Sequence, residues 1–142
     1  MRTVDTFRRA VEARDVATMT ALFAPDIRFF SPVKFRPFEG AELVGQVFRV
    51  LMRTFEDFRY VGQFAGQAEE GDGGAEVDSH VLIFRTVVNG KDVHGMDLVQ
   101  TNADGLISTF TVMIRPQSAL TAVSEAIYAG LVADGAVAAP PR

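Results

Sequence analysis

Asp97 is the residue whose sequence surroundings point most directly to chemistry. Alternating residue types predict a strand over residues 91–102, in which the same-face neighbours of Asp97 are Gly95 and Val99. A carboxylate among such neighbours loses hydration, which raises its pKa. A neutral Asp97 could donate a hydrogen bond to a ligand carbonyl, and a charged Asp97 could act as a base. The alternative is a structural residue that pairs with a neighbouring side chain.

The two histidines of the chain are candidates for an acid–base partner. His80 shares one face of a predicted strand over residues 75–88 with Phe84, and we expect this face to point inward. His80 could then reach Asp97 across neighbouring strands, and a histidine–carboxylate pair can exchange protons near neutral pH. A hydrogen-bonded core or interface histidine is the alternative. His94 lies three residues before Asp97, so we place it on the outer face of the sheet, at the surface or an interface.

Composition excludes several kinds of site. The chain has no cysteine, which excludes disulfides, cysteine-ligated zinc and thiol nucleophiles. Two histidines cannot form a three-histidine metal site within one chain. The glycine-rich segment 71–74 is a turn rather than a phosphate loop, because no helix and no Lys-Ser/Thr pair follows it. We therefore expect no metal and no cofactor, and the net charge of −4 argues against a nucleic-acid partner.

Length and hydropathy predict one globular domain. The chain has 142 residues, of which 48% are hydrophobic and 23% charged. No apolar run approaches the length of a membrane span and no export signal is visible, so we expect a cytoplasmic protein without membrane contact. Twelve phenylalanines accompany two tyrosines and no tryptophan. These rings either fill a core or line a cavity for an apolar ligand.

Hydrophobic periodicity predicts an α+β fold. Helical spacing and strand alternation follow one another in this order: helices 3–14 and 15–24, strand 27–31, helix 41–55, strands 58–65, 75–88, 91–102 and 106–115, and a C-terminal helix 117–133. The antiparallel sheet should curve around the N-terminal helices and leave a concave mouth, a usual place for a small-molecule site. We assign residues 1–133 to a single domain and residues 134–142 to a flexible tail.

The loop from Pro32 to Gly40 is unusually apolar for a connection between elements. It carries Val33, Phe35 and Phe38. Such a loop either packs flat on the core or forms a lid over a cavity.

Three stretches of the sequence resemble the nuclear transport factor 2-like superfamily. They are ARDVATMTALFAPD at residues 13–26, FEGA at residues 38–41 and GMDLVQTNADGLI at residues 95–107. Together the resemblance spans roughly residues 3–131. It implies the cone-shaped cystatin-like fold shared by ketosteroid isomerases, SnoaL-type polyketide cyclases, limonene epoxide hydrolase and scytalone dehydratase. Because this fold hosts many chemistries, it does not by itself imply one of them.

The resemblance to ketosteroid isomerases covers one of their three functional groups. Asp97 matches the aspartic acid that this family keeps protonated in an apolar pocket. Phe7 stands at the position of the family's tyrosine and Ser31 at the position of its aspartate base. A serine at its normal pKa cannot replace that base, so classical steroid isomerisation is not expected. Gly95 stands where the epoxide hydrolases of this fold carry an arginine, which argues against that activity too.

The sequence therefore predicts a protein that binds a small apolar or carbonyl-bearing molecule. If it is an enzyme, we expect a cofactor-free isomerase, cyclase or dehydratase that uses Asp97 with His80 in a hydrophobic cavity. The alternative is a non-catalytic ligand-binding or protein-interaction module. The predicted ligand-binding residues are Phe7, Phe29, Ser31, Phe35, Phe55, Tyr60, Phe84, Val99, Phe110, Val112 and Ile114, with Phe58 in the same wall. Members of the superfamily commonly dimerise through the outer sheet face, which implies a homodimer.

Overall fold

The computed structural model describes residues 2–71 and 73–138 and has the predicted α+β fold. In chain order its elements are α1 (Thr3–Glu12), α2 (Val16–Ala21), β1 (Phe23–Phe30), β2 (Phe38–Glu39), α3 (Ala41–Thr54), β3 (Glu56–Glu69), β4 (Glu76–Val88), β5 (Lys91–Thr101), β6 (Ile107–Arg115) and α4 (Gln117–Ala133). The strands form one six-stranded sheet in the order β2-β1-β6-β5-β4-β3.

The sheet is mixed and not purely antiparallel as expected. Strands β3 to β6 form the predicted antiparallel meander, but β1 runs parallel to β6. The reason lies in the connections. Tight turns fix the relative directions of β3 to β6, whereas β1 connects to the meander through α3 and takes its place on the far side of β6.

Local side-chain chemistry sets several boundaries of these elements. Asn89 and Gly90 both have positive φ, at 48° and 76°, as the tight hairpin turn between β4 and β5 requires. The Asn102 side chain accepts hydrogen bonds from two backbone amides of the next turn, at 3.0 and 3.1 Å. The Asp15 carboxylate accepts from the Thr18 amide at 3.1 Å and caps α2.

The core lies between the inner face of the sheet and the helices. Much of it is a cluster of phenylalanine rings, in which Phe48 of α3 meets Phe7, Phe29 and Phe110 with ring centroids 5.2 to 6.0 Å apart. This packing accounts for part of the unusual phenylalanine content. Gly95 of β5 leaves room for another ring, because a Cβ atom there would lie 2.3 Å from the Phe84 side chain.

The described residues that follow α4 contact the rest of the protein. The Asp134 carboxylate forms two hydrogen bonds with the Arg53 guanidinium, at 2.8 and 2.9 Å, and Val137 packs against the hydrophobic core. Residues 139–142 of the predicted flexible tail lie outside the described residues. Among the described helices, none has the length and hydropathy needed to cross a membrane.

Candidate functional site

A narrow apolar cavity opens between the inner face of the sheet and helices α3 and α4. Its volume is about 30 Å³, which is enough for one or two water molecules. Eight of the residues predicted to bind or act on a ligand line it: Phe29, Phe55, Tyr60, Phe84, Asp97, Phe110, Val112 and Ile114. Pro32, Met52, Phe58 and Ile114 are only partly buried, so the cavity meets solvent at these residues.

Tyr60 and Asp97 carry the only polar side chains among the described residues that line the cavity. The Tyr60 hydroxyl donates a hydrogen bond to the Asp97 carboxylate at 2.8 Å. Tyr60 pairs with Phe84 on β4, and Phe84 pairs with Gly95 on β5, two residues before Asp97. The long tyrosine side chain therefore reaches diagonally across β4.

Burial controls the protonation of this pair. Desolvation raises the pKa of Asp97 from its ordinary value of 3.8 to about 7, and the hydrogen bond from Tyr60 opposes part of that rise. Burial also raises the pKa of the Tyr60 phenol, and the adjacent Asp97 charge raises it further. The Arg8 guanidinium lies 5.6 Å from the centre of the Tyr60 ring and acts in the opposite direction. Asp97 thus changes charge near neutral pH, whereas Tyr60 stays a hydrogen-bond donor.

The expected pair between His80 and Asp97 does not form. His80 does face inward and is buried, but the register places it opposite Val99, while Asp97 stands opposite Leu82. The His80 Nε2 atom lies 3.1 Å from the Asp78 carboxylate, and His80 does not line the cavity. The polar partner of Asp97 is Tyr60 instead, because a tyrosine can bridge the width of a strand.

Three further predicted ligand-binding residues belong to the core and do not line the cavity. Phe7 and Val99 are fully buried, and the Phe7 ring packs against Phe48 and Phe110. The Ser31 side chain is buried too, and its hydroxyl oxygen accepts a weak hydrogen bond from the Val33 amide at 3.3 Å.

Phe35 is 97% exposed and does not line the cavity. In the same loop, the Phe38 ring reaches the core instead. Phe38 of β2 pairs with Phe29 of β1, and the centroids of their rings lie 6.3 Å apart. This pairing leaves Phe35 outside. Pro32 alone brings this loop to the cavity.

Helices supply the lining residues that sequence reasoning missed. These are Val11, Phe48, Leu51, Met52, Val123 and Ile127. The helical spacing of Val123 and Ile127 indicates an apolar face of α4, but it does not tell which part of the sheet that face covers. The Tyr60–Asp97 pair was missed for a similar reason. A bulge between Tyr60 and Gly62 shifts the register of β3, and no turn signal in the sequence reveals it.

The chemistry open to this site is hydrogen bonding and proton transfer. Among residues 2–71 and 73–138, no group of three or more His, Asp or Glu side chains could hold a metal ion. A protonated Asp97 can donate a hydrogen bond to a carbonyl oxygen, and an ionised Asp97 can accept a proton.

Comparison with known proteins identifies the family and the fold of the chain. The model of the SnoaL-like domain matches residues 4–110. The chain belongs to the SnoaL-like domain family. No functionally curated protein matches it.

The matches to three solved structures cover 80% to 95% of the SnoaL-like chain. A steroid delta-isomerase from Pseudomonas aeruginosa is 31% identical with a TM-score of 0.82, and the match covers 95% of this chain and 93% of that one. An uncharacterized bacterial protein with a cystatin-like fold from Silicibacter pomeroyi is 28% identical with the same TM-score, covering 94% and 88%. A SnoaL-like protein of unknown function from Burkholderia thailandensis, 18% identical with a TM-score of 0.60 and coverage of 80% and 92%, shares the fold.

Proposed function

We propose that this protein binds a small apolar molecule that bears a carbonyl oxygen, and that Tyr60 and Asp97 hold this oxygen. The observation that carries the proposal is the single polar pair in an otherwise apolar cavity. Small-molecule sites commonly have this composition, in which apolar walls give affinity and a few polar groups fix orientation.

A ligand must widen the cavity on entry. A cavity of about 150 Å³ accommodates benzene, whereas this one measures about 30 Å³. Met52 is partly exposed on the cavity wall, so its side chain can move without unfolding the core. The Phe58 ring is also partly exposed but stacks on the rings of Phe55 and Phe84, at 5.5 and 5.0 Å. The unbranched Met52 side chain changes rotamer easily, which makes it a suitable gate.

A catalytic role would rest on Asp97 as the acid or base. Ionised Asp97 would take a proton from the carbon next to the ligand carbonyl, and the Tyr60 hydroxyl would turn to donate a hydrogen bond to the carbonyl oxygen. This is one proton transfer of a cofactor-free isomerase, cyclase or dehydratase. A non-catalytic binding module is the second candidate, since the described lining holds no acid–base side chain besides this pair.

Matched ligands separate binding from the polar contact. We would titrate the protein with 2-cyclohexenone and with cyclohexene, and follow thermal stability and backbone amide NMR shifts. A ligand at a hundredfold over its Kd adds about 2.7 kcal/mol of stability. We expect the ketone to bind more tightly than the hydrocarbon, and Asp97→Asn or Tyr60→Phe to reduce the difference. Glu125→Gln, which changes an exposed carboxyl of α4 outside the cavity, is the control. Equal affinity for both ligands would contradict the proposal.

Deuterium exchange distinguishes an enzyme from a binding module. Incubation with the ketone in D₂O would show, by proton NMR, whether the protein accelerates exchange of the hydrogens next to the carbonyl. We expect acceleration by the wild type and none by Asp97→Asn. Tight binding without acceleration would favour the non-catalytic module.

The outer face of the sheet supports a homodimer as the quaternary structure. Val61 and Phe64 of the edge strand β3 are 52% and 64% exposed. Such a patch commonly marks a protein interface. Phe64→Ser should shift the sedimentation coefficient towards the monomer, whereas Phe35→Ser, which changes an even more exposed ring in a loop, should not. A monomeric wild type would exclude this assembly.

A further inference from the structure

A row of basic side chains crosses one end of the outer sheet face. Arg59 of β3 pairs with Arg85 of β4, Arg85 pairs with His94 of β5, and His94 pairs with Arg115 of β6. Directly paired residues of neighbouring strands project to the same side of a sheet. Four adjacent strands therefore place their basic groups side by side.

This row lacks internal charge compensation. Within the described residues, no carboxylate forms an ion pair with Arg59, Arg85 or Arg115. Like charges at directly opposed strand positions destabilise a sheet, so this row has an energetic cost. One Arg115 nitrogen lies 3.3 Å from His94 Nδ1. Asp92 lies in the same region, so three guanidinium groups and one carboxylate leave an excess of two positive charges beside a neutral histidine.

These arginines line a cavity of about 310 Å³ that also reaches the start of helix α4. Pro116 is part of its wall and immediately precedes the first turn of α4. No described side chain caps this turn, and its first residues are exposed. The positive end of a 17-residue helix thus adds to the field of the arginines.

We propose that this cavity, which is separate from the Tyr60–Asp97 cavity, binds a phosphate group. A guanidinium fork pairs with two oxygens of an oxyanion. Arg59, Arg85 and Arg115 come from three different strands and converge on one volume, which suits the tetrahedral, doubly charged phosphate better than a planar carboxylate. The net positive charge that costs stability in the empty site is neutralised when the site is filled.

A neighbouring apolar cavity indicates where an organic substituent would lie. Its volume is about 270 Å³, it shares His94 and Arg115 with the basic cavity, and Ile83, Met96 and Met113 form its apolar walls. A phosphate monoester could place its phosphate among the arginines and its organic part over these side chains. Free phosphate would use the basic cavity alone.

Titration with two phosphates tests the proposal and distinguishes these sources. Backbone amide NMR shifts would be followed with inorganic phosphate and with phenyl phosphate, at constant ionic strength and pH. We expect saturable shifts at Arg85, His94 and Arg115. Tighter binding of phenyl phosphate would assign the site to an organic monoester, and equal affinity would assign it to free phosphate. Absence of saturable shifts with both compounds would overturn the proposal.

Two charge-neutralising variants give the matched comparison. Arg85→Gln should weaken phosphate binding about tenfold or more, since it removes a charge-assisted contact. Arg9→Gln changes an exposed arginine of α1 and should alter the affinity less than about twofold. Equal affinities of the two variants would refute the site. Dissociation of a wild-type dimer by Arg85→Gln would also overturn it, because the arginines would then serve contacts between copies.

The pKa of His94 provides an independent test. If the arginines have only a structural role, added phosphate should leave this pKa unchanged. Partial burial and the charges of Arg85 and Arg115 lower the pKa of His94 in the empty site, where Arg59 and Asp92 are the other charged groups of the cavity. A bound phosphate should raise this pKa, as followed by the ring proton shifts of His94. An unchanged pKa at saturating phosphate would place the anion elsewhere.

Discussion

Asp97→Asn should stabilise the protein at alkaline pH and change it little at acidic pH. Burial raises the pKa of the Asp97 carboxyl from 3.8 to about 7, so between these values the native state holds a proton that the unfolded state has released. The free energy of unfolding contributed by this group therefore falls as the pH rises through that window and levels off above about pH 7. Asparagine has no such titration and still offers an oxygen to the Tyr60 hydroxyl.

The expected size of this effect follows from the same two pKa values. Each pH unit inside the window changes the free energy of unfolding by about 1.4 kcal/mol. Because the slope is halved at the native pKa of about 7, the advantage of the asparagine variant should grow by roughly 2 kcal/mol between pH 5 and pH 7. A typical domain unfolds with only about 5–15 kcal/mol, so the difference is easily measured.

Urea unfolding at pH 5, 6, 7 and 8, at one protein concentration, measures the difference between wild type and Asp97→Asn directly. Other titrating groups are common to both proteins and cancel in this comparison. Glu125→Gln removes an exposed carboxyl of α4 that lies outside the cavity, and its difference from the wild type should vary far less with pH. A constant difference between wild type and Asp97→Asn from pH 5 to pH 8 would show that Asp97 is not desolvated, and the reasoning on the cavity would fail.

Further substitutions test the geometry around this site. Tyr60→Phe removes the hydrogen bond that lowers the pKa of Asp97, so the carboxyl carbon NMR titration should move above pH 7. Gly95→Ala places a Cβ atom 2.3 Å from an aromatic ring and 2.8 Å from a backbone oxygen, and should lower the free energy of unfolding by about 1–3 kcal/mol in a urea titration. Phe110→Ala should cost about 3–5 kcal/mol in the same assay, whereas Phe35→Ala should stay within about 0.5 kcal/mol because that ring is exposed.

Sequence patterns predicted the elements well wherever one local rule decided the structure. The apolar spacing after Pro116 predicts a helix over 117–133, and α4 has these bounds. The Asn89-Gly90 pair predicts a hairpin, and both residues have the positive φ values that it needs. The parallel direction of β1 was not predictable in this way, because its partner β6 lies more than 70 residues later in the chain and no turn joins them.

The site was only partly predictable, because it depends on register between strands. The types and alternation of residues predicted Asp97 and Tyr60 on a cavity wall, and both side chains line the cavity. Which polar side chains touch depends on the offset between β3, β4 and β5, and a shift of two residues decides whether His80 or Tyr60 meets Asp97. Long-range register is set by the packing of the whole core and leaves no local signal.

The position of the phenol bears on which reactions the cavity could support. The sequence resemblance places Phe7 at the position of the tyrosine of ketosteroid isomerases, yet the cavity has a phenol, since Tyr60 supplies one from β3. The described lining has no counterpart of their separate aspartate base, because Ser31 lies in the core. Asp97 would then have to be the base while Tyr60 polarises the carbonyl. Such a pair fits a reaction with one proton transfer next to a carbonyl better than a reaction that needs a separate acid and base. Hydrogen exchange next to the carbonyl is therefore a more informative assay than steroid isomerisation.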